Sequence, residues 1–302
     1  MERRELEYFL AIAEHGSFTG AAQALRVAQP SLSHAIGALE QKLGGRVFHR
    51  LAQGVSLTPA GEALAEPARQ VLRDLDTAGD SVRQVLGVTG GRLDIVAQTT
   101  LAVDPLAALV GQFLRDRPLV SIHISDPELG SDITGSVRAG ECELGMIDSH
   151  SPVREMDSMV LPGREIFAVL PPWWSSSERA RISVAELAAL DFVTTPEGTA
   201  TREVIEDVVG TRSAPPRVAV ETAHQAMIVP LVLAGAGATL LPRSMAQDAA
   251  QQGAVVLPLR PRVVRRGVLF WRSGPLSPAA AEFVELARGL SGEPTRGTRR
   301  EP

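Results

Sequence analysis

The sequence predicts an α+β protein in three parts: a small helical N-terminal unit with a short hairpin, a long connecting helix, and a two-lobed α/β C-terminal region. Three observations carry this prediction. Apolar residues recur at helical spacing up to Leu43, a 3.5-residue apolar period runs from Thr58 to about Leu86, and short apolar strands alternate with helices from Arg92 onward. With 302 residues, 44% hydrophobic and 22% charged, the chain has the length and composition of a folded protein of two or three domains.

Leu6, Phe9, Leu10 and Ala13 define a first helix, ended by Gly16, where glycine takes positive φ freely. Ser17 reads as the N-cap of a short second helix, Phe18–Leu25, whose Ala21 and Ala22 permit close packing. Arg26–Ala28 is a tight break. Pro30 suits the first turn of a third helix, where its missing N–H is no loss. Leu32, Ile36, Leu39 and Leu43 form one apolar stripe of that helix, and Pro30, His34, Gly37, Ala38 and Gln41 occupy the opposite face, flanked by Ser31 and Ser33. Such a small, polar face is what entry into a major groove about 12 Å wide requires. Gln29 can read adenine in bidentate fashion, Ser31 and Ser33 can donate to phosphate or base, and His34 can donate from a ring nitrogen. Gly44–Gly45 ends the helix, and Arg46–Leu57 reads as a hairpin or wing that offers Arg46 and Arg50 to phosphates. The competing reading is a small helical unit packed on something else, its serines merely solvated. Charge does not decide between them, because residues 1–60 carry a balance of only +1.

From Thr58, the residues Leu64, Ala68, Val71, Leu75, Ala78, Val82 and Val85 alternate spacings of four and three, the period of a coiled-coil seam. A dimer through this helix is expected, with intramolecular packing of the same residues as the alternative. Pro67 inside the pattern predicts a kink or local break. Gly87–Gly91 reads as a hinge.

Beyond the hinge, strands are expected at Arg92–Ala97, Val120–Ser125, Leu144–Ile147, Glu165–Leu170, Phe192–Thr194, Val218–Val220 and Ala238–Leu241. Helices are expected at Pro105–Arg115, Ser131–Ala139, Val184–Ala189, Thr201–Val209 and Ala223–Ala234. The alternation indicates parallel α/β architecture in two halves, joined by crossovers near Leu161 and Val263, with a cleft between them. In open α/β sheets, ligands bind beyond the carboxyl ends of strands, where helix N-termini point. Those ends carry Thr99, Thr100, Ser125, Asp126 and Asp148 in one half, and Thr195, Thr199, Thr201, Thr222 and His224 in the other. Hydroxyls and free N–H groups at two facing helix starts suit a small anion without a dedicated arginine. Ordinary helix capping is the alternative for each.

Several function classes drop out. A net charge of −5, with Lys42 the only lysine among 30 basic residues, excludes a protein that is basic throughout. Cys142 is the only cysteine, so neither an intrachain disulfide nor a cysteine-based metal cluster is possible. Cys142 reads as buried among apolar neighbours, with redox sensing as the alternative. None of His15, His34, His49, His123, His150 and His224 has metal spacing with another, and neither a G-x-S-x-G elbow nor a P-loop occurs. No cofactor and no enzymatic activity are expected. Residues Met1–Leu10 lack the apolar core of a signal peptide, and the uncharged stretch before Arg243 is broken by Pro230, Gly235, Gly237 and Pro242. A cytoplasmic protein without membrane contact is expected.

The run Phe9 … Gly16-Ser17-Phe18-Thr19 … Ala21-Ala22 … Leu25 … Gln29-Pro30-Ser31-Leu32-Ser33 … Ile36 … Leu39-Glu40 … Leu43-Gly44 … Val47-Phe48-His49-Arg50 … Leu57-Thr58-Pro59-Ala60-Gly61 closely resembles the winged helix-turn-helix of LysR-type transcriptional regulators. The resemblance implies that Gln29, Ser33 and His34 face bases while Ser31 and Arg50 hold the backbone. The candidate DNA-binding set is Arg26, Gln29, Pro30, Ser31, Ser33, His34, Arg46 and Arg50. Position 34, most often arginine in the family, is histidine here, with a shorter reach and a pH-dependent charge.

More loosely, Leu233-Ala234-Gly235-Ala236-Gly237-Ala238 … Leu241-Pro242 and Gly198-Thr199 … Arg202 resemble segments of the family's effector domain, which has the two-lobed fold of periplasmic binding proteins. The resemblance implies that Thr99, Thr100, Thr199 and Thr222 line an inducer site. Pro171-Pro172-Trp173-Trp174 stands where the family usually has His-Pro-Leu, and core, rim and assembly surface are all open to the two tryptophans.

The expected division is residues 1–58 for the winged helix-turn-helix and 59–90 for the linker. Residues 91–295 form the effector domain, with 91–162 and 263–295 as one lobe and 163–262 as the other, and 296–302 form a tail. The expected protein is a regulator, a dimer through the linker and a tetramer by resemblance. It binds an interrupted palindrome in double-stranded DNA, responds to a small effector of anionic class and contacts RNA polymerase. The alternatives are a ligand-independent regulator whose second domain serves only assembly, and an enzyme using the cleft.

Overall fold

The computed structural model describes residues 1–51, 54–86, 90–126, 132–149, 153–174, 180–210 and 215–291. Helices α1 (Arg3–His15), α2 (Phe18–Ala24) and α3 (Gln29–Leu43) are followed by an antiparallel hairpin, β1 (Phe48–Arg50) and β2 (Val55–Leu57). Gly16 ends α1 at φ 62°, and Ser17 caps α2 by accepting the Gly20 N–H at 3.0 Å. The break between α2 and α3 turns at Arg26, φ 54°, a left-handed conformation in a non-glycine residue. Phe9, Ile12, Leu32 and Leu39 are fully buried, each worth roughly 1.5–3 kcal/mol of transfer free energy. Leu43, expected to complete the α3 stripe, is 43% exposed because α3 ends beside Gly44, past the packed body.

Helix α4 (Pro59–Val85) runs unbroken through Pro67, so the expected break is absent and one ladder hydrogen bond is forgone instead. Gly61 has to be glycine, since a Cβ there would stand 2.2 Å from the Val47 carbonyl oxygen on the hairpin. Near its start α4 packs on the N-terminal core through Leu64 and Ala68. Farther along the seam Val71, Leu75, Val82 and Val85 are 42%, 46%, 60% and 87% exposed. The hinge expected at Gly87–Gly91 lies largely outside the described residues.

The first C-terminal sheet has the order β4 (Val120–Ser125), β3 (Gly91–Ala97), β5 (Leu144–Asp148), β14 (Gly267–Arg272), β6 (Met156–Val160). Strand β3 is parallel to β4 and β5, whereas β14 is antiparallel to β5 and β6, so the expected parallel sheet is mixed. The late strands return from the second half of the chain, and nothing in a local apolar pattern encodes direction. One face is covered by α6 (Ala107–Asp116) and α12 (Pro278–Ser291), around Leu93, Leu101, Phe113, Leu269 and Phe283. Between β4 and β5 lies α7 (Ile133–Arg138).

The second sheet runs β11 (Thr239–Pro242), β7 (Arg164–Leu170), β12 (Val255–Arg260), β8 (Ile182–Ser183), with β13 (Val264–Arg265) also on β7. A parallel pair, β9 (Asp191–Thr194) and β10 (Arg217–Glu221), joins it through a bridge between Phe192 and Ala238. Helices α8 (Val184–Ala188), α9 (Ala200–Val209), α10 (Ile228–Leu233) and α11 (Arg243–Gln251) flank it. The single helix expected at Ala223–Ala234 is a tighter turn at Gln225–Met227 followed by α10. Helical backbone begins earlier than expected after β3, at α5 (Thr99–Leu101), and is interrupted at Asp104 before α6. Among the described residues no helix is long and apolar enough to cross a membrane.

Candidate functional site

The outer face of α3 is polar and open to solvent. Gln29, Pro30, Ser31 and His34 are exposed and Ser33 is half-buried, while Leu32, Ile36 and Leu39 hold the opposite face to the core. The Gln29 amide donates to the Ser33 hydroxyl at 2.9 Å, so these two groups are already oriented toward one another. Arg26 stands exposed at the turn, and Arg46 and Arg50 are exposed beside the hairpin. The Arg50 guanidinium lies over the Phe18 ring, 5.4 Å from its centre, which fixes the cation without neutralising it. The Arg46 carbonyl accepts the Thr58 hydroxyl at 2.7 Å, and Thr58 in turn accepts the Gly61 N–H at 3.1 Å, tying the wing to the start of α4. Phe18 under Arg50 went unnoticed in the sequence, where an aromatic after a cap residue reads only as core.

The expected effector residues fall into linked pairs. Thr99 donates to the Asp126 carboxylate at 3.0 Å, and the Thr195 and Thr199 hydroxyls bond each other. Thr201 is buried and accepts from the Gln225 amide at 3.0 Å, and Thr222 accepts the His224 N–H at 3.1 Å. Helices α5 and α9 approach each other. Ser125 stands apart from this group, its hydroxyl 3.5 Å from the buried thiol of Cys142. Burial pushes that thiol up, away from the reactive thiolate. Trp173 is 69% exposed, whereas Trp174 is half-buried with its indole N–H unpaired.

Two arginines, both missed in the sequence, lie where the sheets meet. Arg265 is buried and donates from Nε to Asp148 at 3.1 Å and from Nη1 to Asp207 on α9. Arg164 donates to the carbonyls of Thr100 and Asp104, both at 2.9 Å, and among the described residues its buried Nε has no partner. Burial holds the Arg164 guanidinium below its ordinary range, against the pull of Asp104 and Asp148. Burial also pushes the Glu203 carboxyl up, with Arg265 acting the other way. The only signal for these residues in the sequence was charge inside otherwise apolar strands. Among the described residues, no group of His, Cys, Asp or Glu side chains could hold a metal ion.

Residues 3–62 match the bacterial regulatory helix-turn-helix protein, lysR family, and residues 86–291 match the LysR substrate binding domain. The chain belongs to the LysR family of transcriptional regulators. It is thus a DNA-binding regulator with an effector-binding domain, in a family of regulators and not of enzymes. The regulator TfdT of Cupriavidus pinatubonensis is 32% identical over 200 residues, covering 66% of this chain and 86% of that protein. BudR of Klebsiella aerogenes is 38% identical over 144 residues, 47% of this chain and 100% of that protein. A full-length OxyR variant from Pseudomonas aeruginosa shares the fold at TM-score 0.72 and 24% identity, covering 96% of this chain and 94% of that one. Full-length CbnR, solved in complex with its target DNA, does so at TM-score 0.67 and 22% identity, covering 96% and 100%.

Proposed function

We propose that this LysR-family chain is a cytoplasmic homo-oligomer that binds an interrupted palindrome through Gln29–Ala38 and responds to a small anionic effector held between the two sheets. Its working units are residues 1–58, 59–90 and 91–295, the last divided into lobes 91–162 with 263–295 and 163–262. The observation that carries the DNA reading is the division of α3 into a sealed face of Leu32, Ile36 and Leu39 and an open one of Gln29, Ser31 and His34. Gln29, Ser33 and His34 read base edges, and Ser31, Arg26, Arg46 and Arg50 hold phosphates.

Arg164 supports the anionic effector, because among the described residues it meets only carbonyl oxygens and no carboxylate within ion-pair distance. Thr99, Thr100, Thr195, Thr199, Thr201, Thr222 and His224 supply hydroxyls and N–H groups around it. The uncovered part of the α4 seam supports the dimer, and a pair of dimers makes the tetramer. An effector that binds one arrangement of subunits more tightly than another shifts the population toward it, changing DNA bend and the contact with RNA polymerase.

A DNase footprint of the DNA flanking the gene, at fixed salt and with fractionated metabolite pools, tests the reading. Protection of an interrupted palindrome whose outer part changes with an anionic fraction is the expected result. Protection indifferent to every fraction favours a ligand-independent regulator, and no protection at any salt overturns the DNA reading.

A further inference from the structure

An open groove lies on the helix-covered face of the first sheet. It has a volume of about 750 Å³ and runs between the end of α6, helix α12 and the edge of the sheet at β6. Phe113, Trp271 and Val284 form its floor and are 3%, 6% and 2% exposed. Asp157 sits on β6 directly opposite Trp271 on β14, so its carboxylate shares a face with the indole ring.

The charges on the rim are unequal. Arg117 bonds Glu282 at 2.6 Å and Arg288 bonds Glu285 at 2.8 Å, so both cations of the lining are matched within the groove. Asp116 and Asp157 are the other charged residues of the lining; Asp116 lies in the field of Arg117, and among the described residues Asp157 makes no ion pair. The Trp271 ring lines the groove and is almost wholly buried.

The geometry points to a second ligand site, selective for a small organic amine with an apolar body. The body would lie on Phe113 and Val284, and the ammonium would sit between Asp157 and the face of Trp271, where carboxylate and ring quadrupole both attract a cation. An anion would meet a lining with two carboxylates in excess, which sets this site apart from the one proposed between the sheets.

Calorimetric titration of the full chain with 2-phenylethylamine tests this, with phenylacetate as the anionic analogue. Saturable one-site binding of the amine, absent for phenylacetate, is the expected result. Asp157→Asn weakens it about tenfold, whereas Thr99→Val in the other cleft leaves it unchanged. Ala281→Trp, which fills the groove from its exposed rim, abolishes binding while circular dichroism reports an intact fold. The proposal is overturned by no saturable heat up to about 10 mM amine. It is equally overturned by an affinity indifferent to Asp157→Asn, by loss of binding in Thr99→Val, or by phenylacetate binding as tightly as the amine.

Discussion

Arg265 Nε stands 3.1 Å from an oxygen of Asp148, and this buried pair joins the end of β5 in the first sheet to β13 on the second. Removing one member strands a buried charge. Arg265→Met is therefore expected to destabilise the C-terminal domain by about 3–5 kcal/mol, while the double replacement Arg265→Met with Asp148→Leu recovers much of that loss. Urea unfolding of both single variants and of the double variant measures this, and a double loss equal to the sum of the single losses would show that the pair has no mutual dependence.

Glu203 gives a pH dependence of defined sign. Its folded pKa is raised, chiefly by burial, so the native state holds this proton more tightly than the unfolded chain does. Ionisation therefore opposes folding above the unfolded value of about 4.3, growing until pH passes the folded value. Glu203→Gln should raise Tm at pH 8, and the gain should shrink toward pH 4. A variant less stable than the parent at pH 8 would mean that the attraction of Arg265 outweighs burial.

Glu5 has the opposite sign. Lys42, 2.7 Å away and hydrogen-bonded to it, holds the Glu5 carboxyl below its usual range, and the Glu2 N–H assists. Its stabilisation is present above the unfolded carboxylate value and is lost as pH falls through the folded one. The raised Lys42 ammonium contributes below its own unfolded value and loses that contribution in strong alkali. Glu5→Gln should lower Tm at neutral pH and converge with the parent in acid, which a Tm series from pH 7 to pH 3 follows.

On the DNA face, His34→Ala is expected to cost about 1–3 kcal/mol on the specific site and to relax preference at one base pair. Arg50→Ala should weaken all sequences alike and flatten the salt dependence. Binding isotherms on specific and random duplexes at several salt concentrations separate the two. If both variants lose specific and random binding equally, the assignment of α3 as the reading helix fails.

Along α4, the exposed apolar residues Leu75 and Val82 predict that Leu75→Asp with Val82→Asp yields monomers at micromolar concentration, as read by light scattering. Oligomers that persist in the double variant would assign self-association to another surface.

The N-terminal unit was legible in the sequence because its determinants are local: the caps at Gly16 and Ser17, the proline start of α3 and the glycine after Leu43 all lie within a few residues of what they control. The hydroxyls of Thr99, Thr199 and Thr201 were legible for the same reason, being placed by the strand–helix junctions that they follow. Arg164 and Arg265 were not, because their significance comes from backbone and carboxylates up to 117 residues distant. Strand direction was equally hidden: β14 enters the first sheet antiparallel only because the chain returns after building the second.

One turn of α4 is gripped from both sides. Asp76 takes the Arg3 guanidinium of α1 at 2.8 Å, and Arg73 donates from Nε to the Gly140 carbonyl at 3.0 Å, in the bend that leads into β5. Arg69 adds a contact with Glu141 in that same bend. Strand β5 then spans from this bend to Asp148 in a single rigid run of backbone. These contacts join Asp148, strand β5, the bend at Gly140–Glu141, α4 and α1 in one unbroken chain of packed elements.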